Sequence, residues 1–187
     1  MDKSIEEKLI ETIGKKRYLH CLRVMETATI LAEKYDADIQ KVQAAALLHD
    51  CAKLENGIEL LKKASEFDIM LDTVMEHTPE LLHAPIGAKV AEIEYGIKDI
   101  EVLNSIKYHT TGRENMTMLD KIIYIADYIE PERNFIGVEE VRKLAFDNID
   151  SSISLALDDT IKFLIKENRL IHLDTIKARN YFKIYEK

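Results

Sequence analysis

Glycine and proline are scarce, with 6 Gly and 3 Pro in 187 residues. That is too few for the many tight turns of a loop-rich all-β fold, which is thereby excluded. No stretch approaches the ~18 consecutive apolar residues that a membrane-spanning helix requires. The start, Met1-Asp2-Lys3-Ser4-Ile5-Glu6-Glu7, lacks the apolar segment of a secretory leader. A cytoplasmic protein with no membrane partner is expected. There are only 2 cysteines, Cys21 and Cys51; without a secretory context they read as reduced core thiols. Positive charge is also short: 26 Lys and Arg against 34 Asp and Glu leave a net charge of −8. Broad nucleic-acid binding needs a basic footprint and is not expected. A nucleotide substrate remains open, because a metal and a few Lys or Arg can reverse the local field.

Hydrophobic residues are plentiful, at 47%, enough for a substantial core. A charged fraction of 32%, rich in Lys and Glu, suits exposed helix surfaces, so the fold class is all-α. The periodicity predicts a short helix over 4–14 ended by Gly14, then a helix over 17–35 with His20, Val24, Ala28 and Leu31 on its core face. A third helix starts after Asp36-Ala37-Asp38 and runs to about Lys53. Further helices are expected over 58–66, 72–76, from the Leu81–Ala88 stretch to Tyr95-Gly96, and over 99–109 and 118–130, the last closed by Pro131. The chain ends with helices over 138–147, 150–167 and 175–185. With no repeat, low-complexity tract or linker, it reads as a single domain over 1–187, with its core at about 16–145 and C-terminal helices over 150–187. The short first helix and polar last helix leave room for a homodimer.

The chain is organised around Ala44-Ala45-Ala46-Leu47-Leu48-His49-Asp50. Such a small-residue and leucine run belongs in a helical core, yet it ends in an imidazole and a carboxylate. Burying an unpaired carboxylate costs on the order of several kcal/mol. His20, His83 and His109 occupy comparable hydrophobic positions and Asp127 follows them. Any of these alone has an ordinary structural explanation. Together, on core-facing or helix-end positions of separate helices, they would impose unrelated desolvation costs that one shared cation removes. Imidazole and carboxylate without thiolate suit iron, manganese, zinc or cobalt and disfavour a closed structural zinc site. Asp50 can bridge to a second ion, so one or two metals are possible. Such a site lowers the pKa of a water it holds and neutralises charge on phosphorus. Lys53, one turn beyond Asp50 on the expected helix, can reach a phosphate as a point charge.

Several stretches carry a family resemblance: Lys16-Arg17-Tyr18-Leu19-His20, Leu48-His49-Asp50-Cys51-Ala52-Lys53, Leu81-Leu82-His83-Ala84-Pro85-Ile86-Gly87-Ala88, Ile106-Lys107-Tyr108-His109-Thr110-Thr111-Gly112-Arg113 and the run from Leu119 to Arg133. This set resembles the HD-domain metal-dependent phosphohydrolases, and within them the bacterial YqeK-like group of symmetrical diadenosine tetraphosphatases. The resemblance implies a helical HD-domain bundle that hydrolyses diadenosine tetraphosphate (Ap4A) to two ADP, with iron as the metal. It implies that His20, His49, Asp50 and Asp127 hold the principal metal. His83 and His109 would face the phosphates or hold a second ion, and either could donate a proton. Lys53, Thr110 and Arg133 would contact the phosphates. The same metal site would serve an enzyme acting on a nucleoside phosphate or cyclic nucleotide, and, without turnover, a nucleotide-binding regulator.

Other residues carry less. His77 and His172 read as surface or structural groups, although the segment from Arg169 to Asp174 could line a nucleotide pocket. Tyr108 and Tyr128 read as packing residues. Glu130, just before Pro131, fits a place behind the ligands as well as a place on the surface.

Overall fold

Leu119, Ile122, Ile123 and Ala126 recur at helical spacing, and in the computed structural model they bury one helix almost completely. The structure describes residues 3–53 and 56–185; the first two residues of the stretch tested as a leader lie outside them. In chain order the helices are α1 (Lys3–Lys34), α2 (Ile39–Leu48), α3 (Gly57–Glu66), α4 (Thr73–His77), α5 (His83–Glu94), α6 (Ile100–Tyr108), α7 (Met118–Ile129), α8 (Val138–Ala145), α9 (Ile149–Lys166) and α10 (Leu173–Tyr185). A 3-10 turn, Pro79–Leu82, leads into α5. The all-α class follows from the family and from this architecture.

Helix α7 is the hub, packing on α1, α2, α6, α8 and α9. Its start is fixed by a capping box: Thr117 accepts from the Asp120 N–H while the Asp120 carboxylate accepts from the Thr117 N–H. Its end is set by Glu130, which turns extended, and by Pro131. Helix α2 lies against α1, α6 and α7, and α5 lies along α6. Val24, Ala28 and Leu31 are fully buried, as the stripe shared with His20 predicts. Burying side chains such as Ile122 and Ile123 contributes about 1.5–3 kcal/mol each. The side chains of Asp38, Asn56, Asp72, Asp99 and Asn148 each accept from backbone N–H groups at a helix start.

Two boundaries differ from expectation. The first two helices form one long element, broken only at Gly14, whose φ of 75° is open to glycine at little cost. The third helix stops at Leu48 rather than near Lys53. Beyond it the chain tightens into turns, with Cys51 N–H donating to Leu48 O at 3.0 Å and Lys53 N–H to Asp50 O at 2.8 Å. No glycine or proline marks this stop, so the composition concealed it. Lys53 therefore reaches the site from a turn and not from the next helical turn.

Candidate metal centre

The ends of α2 and α6, the start of α5, the middle of α1 and the last turn of α7 meet in the core. They bring together the imidazoles of His20, His49, His83 and His109 and the carboxylates of Asp50 and Asp127. Asp50 is the centre. Its Oδ2 lies 3.3 Å from His49 Nε2 and 3.7 Å from His20 Nε2. Its Oδ1 lies 3.2 Å from His83 Nε2 and 3.7 Å from His109 Nε2. Asp127 Oδ1 sits 3.1 Å from His20 Nε2. The two oxygens of Asp50 thus face two neighbouring groups of donors, His20 with His49 and His83 with His109.

The ring orientations are set by local backbone. His49 caps α2 and its Nδ1 lies 2.7 Å from Ala46 O. His109 caps α6 with Nδ1 2.7 Å from Ile106 O. His83 Nδ1 contacts Glu80 O at the close of the 3-10 turn. Carbonyls at a helix C-terminus have no partner within the helix, and here the rings supply it. Each Nδ1 thereby carries the hydrogen and each Nε2 presents a lone pair to the centre.

Those lone pairs need a cation. His20 Nε2 and His49 Nε2 are buried without a properly formed hydrogen bond. His83 Nε2 and His109 Nε2 face each other at 3.1 Å. Two acceptors at that distance repel unless a proton or a metal ion lies against them. The donor set is all imidazole and carboxylate, and fits a divalent transition metal.

Charge in the site is similarly organised. Burial pushes the Asp50 pKa up, but the imidazoles of His49, His109 and His83 outweigh it and hold the group well below the usual carboxylate range. Burial pushes His83 down to about 4, so its ring is neutral near neutral pH. Burial also lowers the pKa of Lys53, whose Nζ lies 3.2 Å from both nitrogens of His83. Thr110 Oγ1 sits 3.3 Å from His83 Nε2 and 3.2 Å from His109 Nε2.

The structure adds residues that the sequence did not single out. Arg17 Nη1 donates to Asp50 Oδ2 at 3.1 Å. A cavity of about 200 Å³ opens beside the centre, its lining including His109, Thr110, Asp127, Arg133, Tyr128 and Phe135. Tyr128 and Phe135 meet edge to face at 5.0 Å. The expected phosphate ligand Arg133 is engaged with Asp127, donating from Nη2 to Oδ1 at 2.6 Å and from Nε to the backbone oxygen at 3.0 Å. His77 is exposed, with its ring on Thr73 O. His172 is buried in a structural role: its Nε2 is 2.9 Å from Asp72 Oδ2, and its Nδ1 accepts the Asp174 N–H.

Residues 17–132 match the HD domain family model. Over 171 residues the chain is 42% identical to a Bacillus subtilis protein named bis(5'-nucleosyl)-tetraphosphatase, symmetrical, covering 91% of each. A Halalkalibacterium halodurans protein of the same name is 45% identical over 179 residues, covering 94% of this chain and 93% of the relative. A crystal structure from Clostridium acetobutylicum, described as a predicted HD superfamily hydrolase involved in NAD metabolism, superposes with a TM-score of 0.94 at 43% identity. It covers 98% of this chain and is itself covered over 97%. With the centre built on His49 and Asp50 at the end of α2, and relatives spanning nearly all of its length, this chain belongs to the HD-domain hydrolase family, alongside the symmetrical bis(5'-nucleosyl)-tetraphosphatases.

Proposed function

We propose that this protein hydrolyses diadenosine tetraphosphate at the middle of its phosphate chain, consuming one water and releasing two ADP. The relatives named for that activity support the reading. The observation that carries the chemistry is the meeting of carbonyl-tied imidazoles on both oxygens of Asp50. His20, His49, Asp50 and Asp127 would hold the principal metal ion, with iron as the first expectation and manganese, cobalt and zinc also compatible with the donors. His83 and His109, on the other oxygen of Asp50, would hold a second ion or face the phosphates. When bound, the metal supplies Lewis acidity toward a phosphoryl oxygen and makes a water easier to deprotonate.

The chain's own residues position and neutralise. Lys53 and Arg17 stand on the Asp50 side and Arg133 on the Asp127 side, so positive charge flanks the centre. A tetraphosphate chain laid across the site would find a cation toward each end, which suits cleavage at its midpoint. Thr110 Oγ1, between His83 and His109, can donate to a phosphoryl oxygen. Burial holds the His83 ring neutral near neutral pH, which suits it to accept a proton or to ligate. The departing ADP carries a terminal phosphate whose second pKa is about 6. It therefore needs charge neutralisation more than a strong acid.

The protein is read as a cytoplasmic enzyme acting on a small dinucleotide. No helix among the described residues is long and apolar enough to cross a membrane. A substrate panel tests the assignment. Metal-loaded protein should prefer diadenosine tetraphosphate over nucleoside mono-, di- and triphosphates, cyclic nucleotides and NAD. A preference for any of these others would overturn the substrate while leaving the metal chemistry standing.

A further inference from the structure

His20 is held differently from the other rings of the centre. It lies inside α1, where the backbone carbonyls are taken up by the helix itself. No carbonyl just upstream is left for its Nδ1, as there is for His49, His83 and His109. Its partner comes instead from another part of the chain: Glu130, the first residue beyond α7, with Oε1 3.3 Å from His20 Nδ1. Glu130 is only 3% exposed. Its other oxygen accepts from Arg23 Nε at 2.8 Å and from the Glu132 N–H at 2.9 Å. Arg23 sits on α1 on the same side as His20, and its Nη2 also pairs with Glu132 at 2.8 Å. The backbone at this point is clamped by Arg142, which donates to the oxygens of Ile129, Glu130 and Arg133 at 2.8, 2.9 and 2.7 Å.

We infer that Glu130 is the positioning residue of His20 and that Arg23 fixes Glu130 for that task. The inference rests on the metal reading above. A carboxylate behind an imidazole locks the ring, fixes the hydrogen on Nδ1 and makes Nε2 a stronger donor than a carbonyl would. Glu130 also closes α7 within three residues of Asp127, the other group on His20 Nε2. One bend in the chain therefore sets both sides of the His20 ring. Among the described residues His20 is the one imidazole of the centre that pairs with Glu130, whose Oε1 also lies 3.8 Å from Arg133 Nε.

The test titrates the metal-free protein with cobalt(II), following both affinity and the visible ligand-field spectrum. Losing a partner of this kind costs about 10–100-fold in metal affinity. Glu130→Gln, which keeps an acceptor for His20 but loses the charge, should weaken cobalt binding about 10-fold, and Glu130→Leu about 100-fold. Both should shift the spectrum toward that of His20→Gln. Arg23→Met, which leaves Glu130 and His20 in place, should give a smaller loss of the same kind and serves if Glu130→Leu does not fold. Wild-type affinity and spectrum in Glu130→Gln and Arg23→Met, with a clear loss in His20→Gln, would overturn the role of Glu130. Wild-type binding in His20→Gln itself would instead overturn the metal reading on which it stands.

Discussion

His49 and His109 close α2 and α6 in the same way, each ring placing Nδ1 2.7 Å from the carbonyl three residues upstream. The free carbonyls of two helix ends are thus used to aim two rings, and the rings satisfy the helix ends in return. His83 repeats the device at the close of a 3-10 turn. These rings are therefore aimed by backbone groups that side-chain substitution cannot remove, and beyond the ligands themselves the sensitivity to mutation should fall on side chains that support them, such as Arg17 and Glu130.

Asp50 is the strongest case, because both of its oxygens face ring nitrogens. Asp50→Ala should lose bound metal and turnover together. The loss should exceed about 100-fold, the upper end of what removing a mere supporting partner costs. Elemental analysis and steady-state assays on one preparation check this, with circular dichroism showing an intact helical fold. Full activity in that variant would remove Asp50 from the mechanism.

Lys53 should separate substrate binding from metal binding. It touches His83 and no carboxylate of the centre directly, so Lys53→Met should leave metal content unchanged. A charged hydrogen bond to phosphate is worth about 1.5–3 kcal/mol, so kcat/KM should fall roughly 10- to 100-fold. Loss of metal in this variant would show that the lysine acts on the centre and not on the substrate.

Proton competition follows from His49. Burial pushes its ring toward the neutral form, but the adjacent Asp50 carboxylate outweighs that and raises its pKa above the ordinary histidine value. In the metal-free protein a proton therefore competes for this position to higher pH than at an ordinary imidazole. Metal binding should release protons, and affinity should rise with pH until the ring is neutral without metal. Isothermal titration in two buffers of different ionisation enthalpy measures the release. An affinity independent of pH between 6 and 8 would contradict it.

Gly112 tests the scaffold behind His109 and Thr110. Its φ is +69°, and an added Cβ would lie 2.8 Å from Met116 Cε and 3.2 Å from Ala178 Cβ. Gly112→Ala should cost about 2 kcal/mol from the left-handed backbone and the crowding together. For a chain of this size that is roughly 4–8 °C in melting temperature, readable by calorimetry. An unchanged melting point would mean that the loop relaxes freely at this position.

Much of the site was legible because the ligand-type residues interrupt otherwise apolar helix faces, where a polar group must have a reason to be buried. His20 on the stripe of Val24, Ala28 and Leu31, and Asp127 after Ala126, are visible in this way. The end of α2 at Leu48 was not, since Asp50-Cys51-Ala52 contains no helix breaker and only the tertiary position of Asp50 gives the turn its purpose. Arg17 was hidden for another reason, since its partner Asp50 is distant in sequence and an Arg on a helix ordinarily faces water. Glu130 was visible as a candidate beside Pro131, but its partner His20, 110 residues away, was not.

The central claim is best tested by the products. Protein of known metal content is incubated with diadenosine tetraphosphate and the nucleotides are resolved by ion-exchange chromatography. ADP should be the sole product, two for each substrate consumed, lost on complete chelation and restored by iron(II), manganese(II) or cobalt(II). Equal amounts of ATP and AMP, or hydrolysis undiminished after the metal is gone, would contradict the claim.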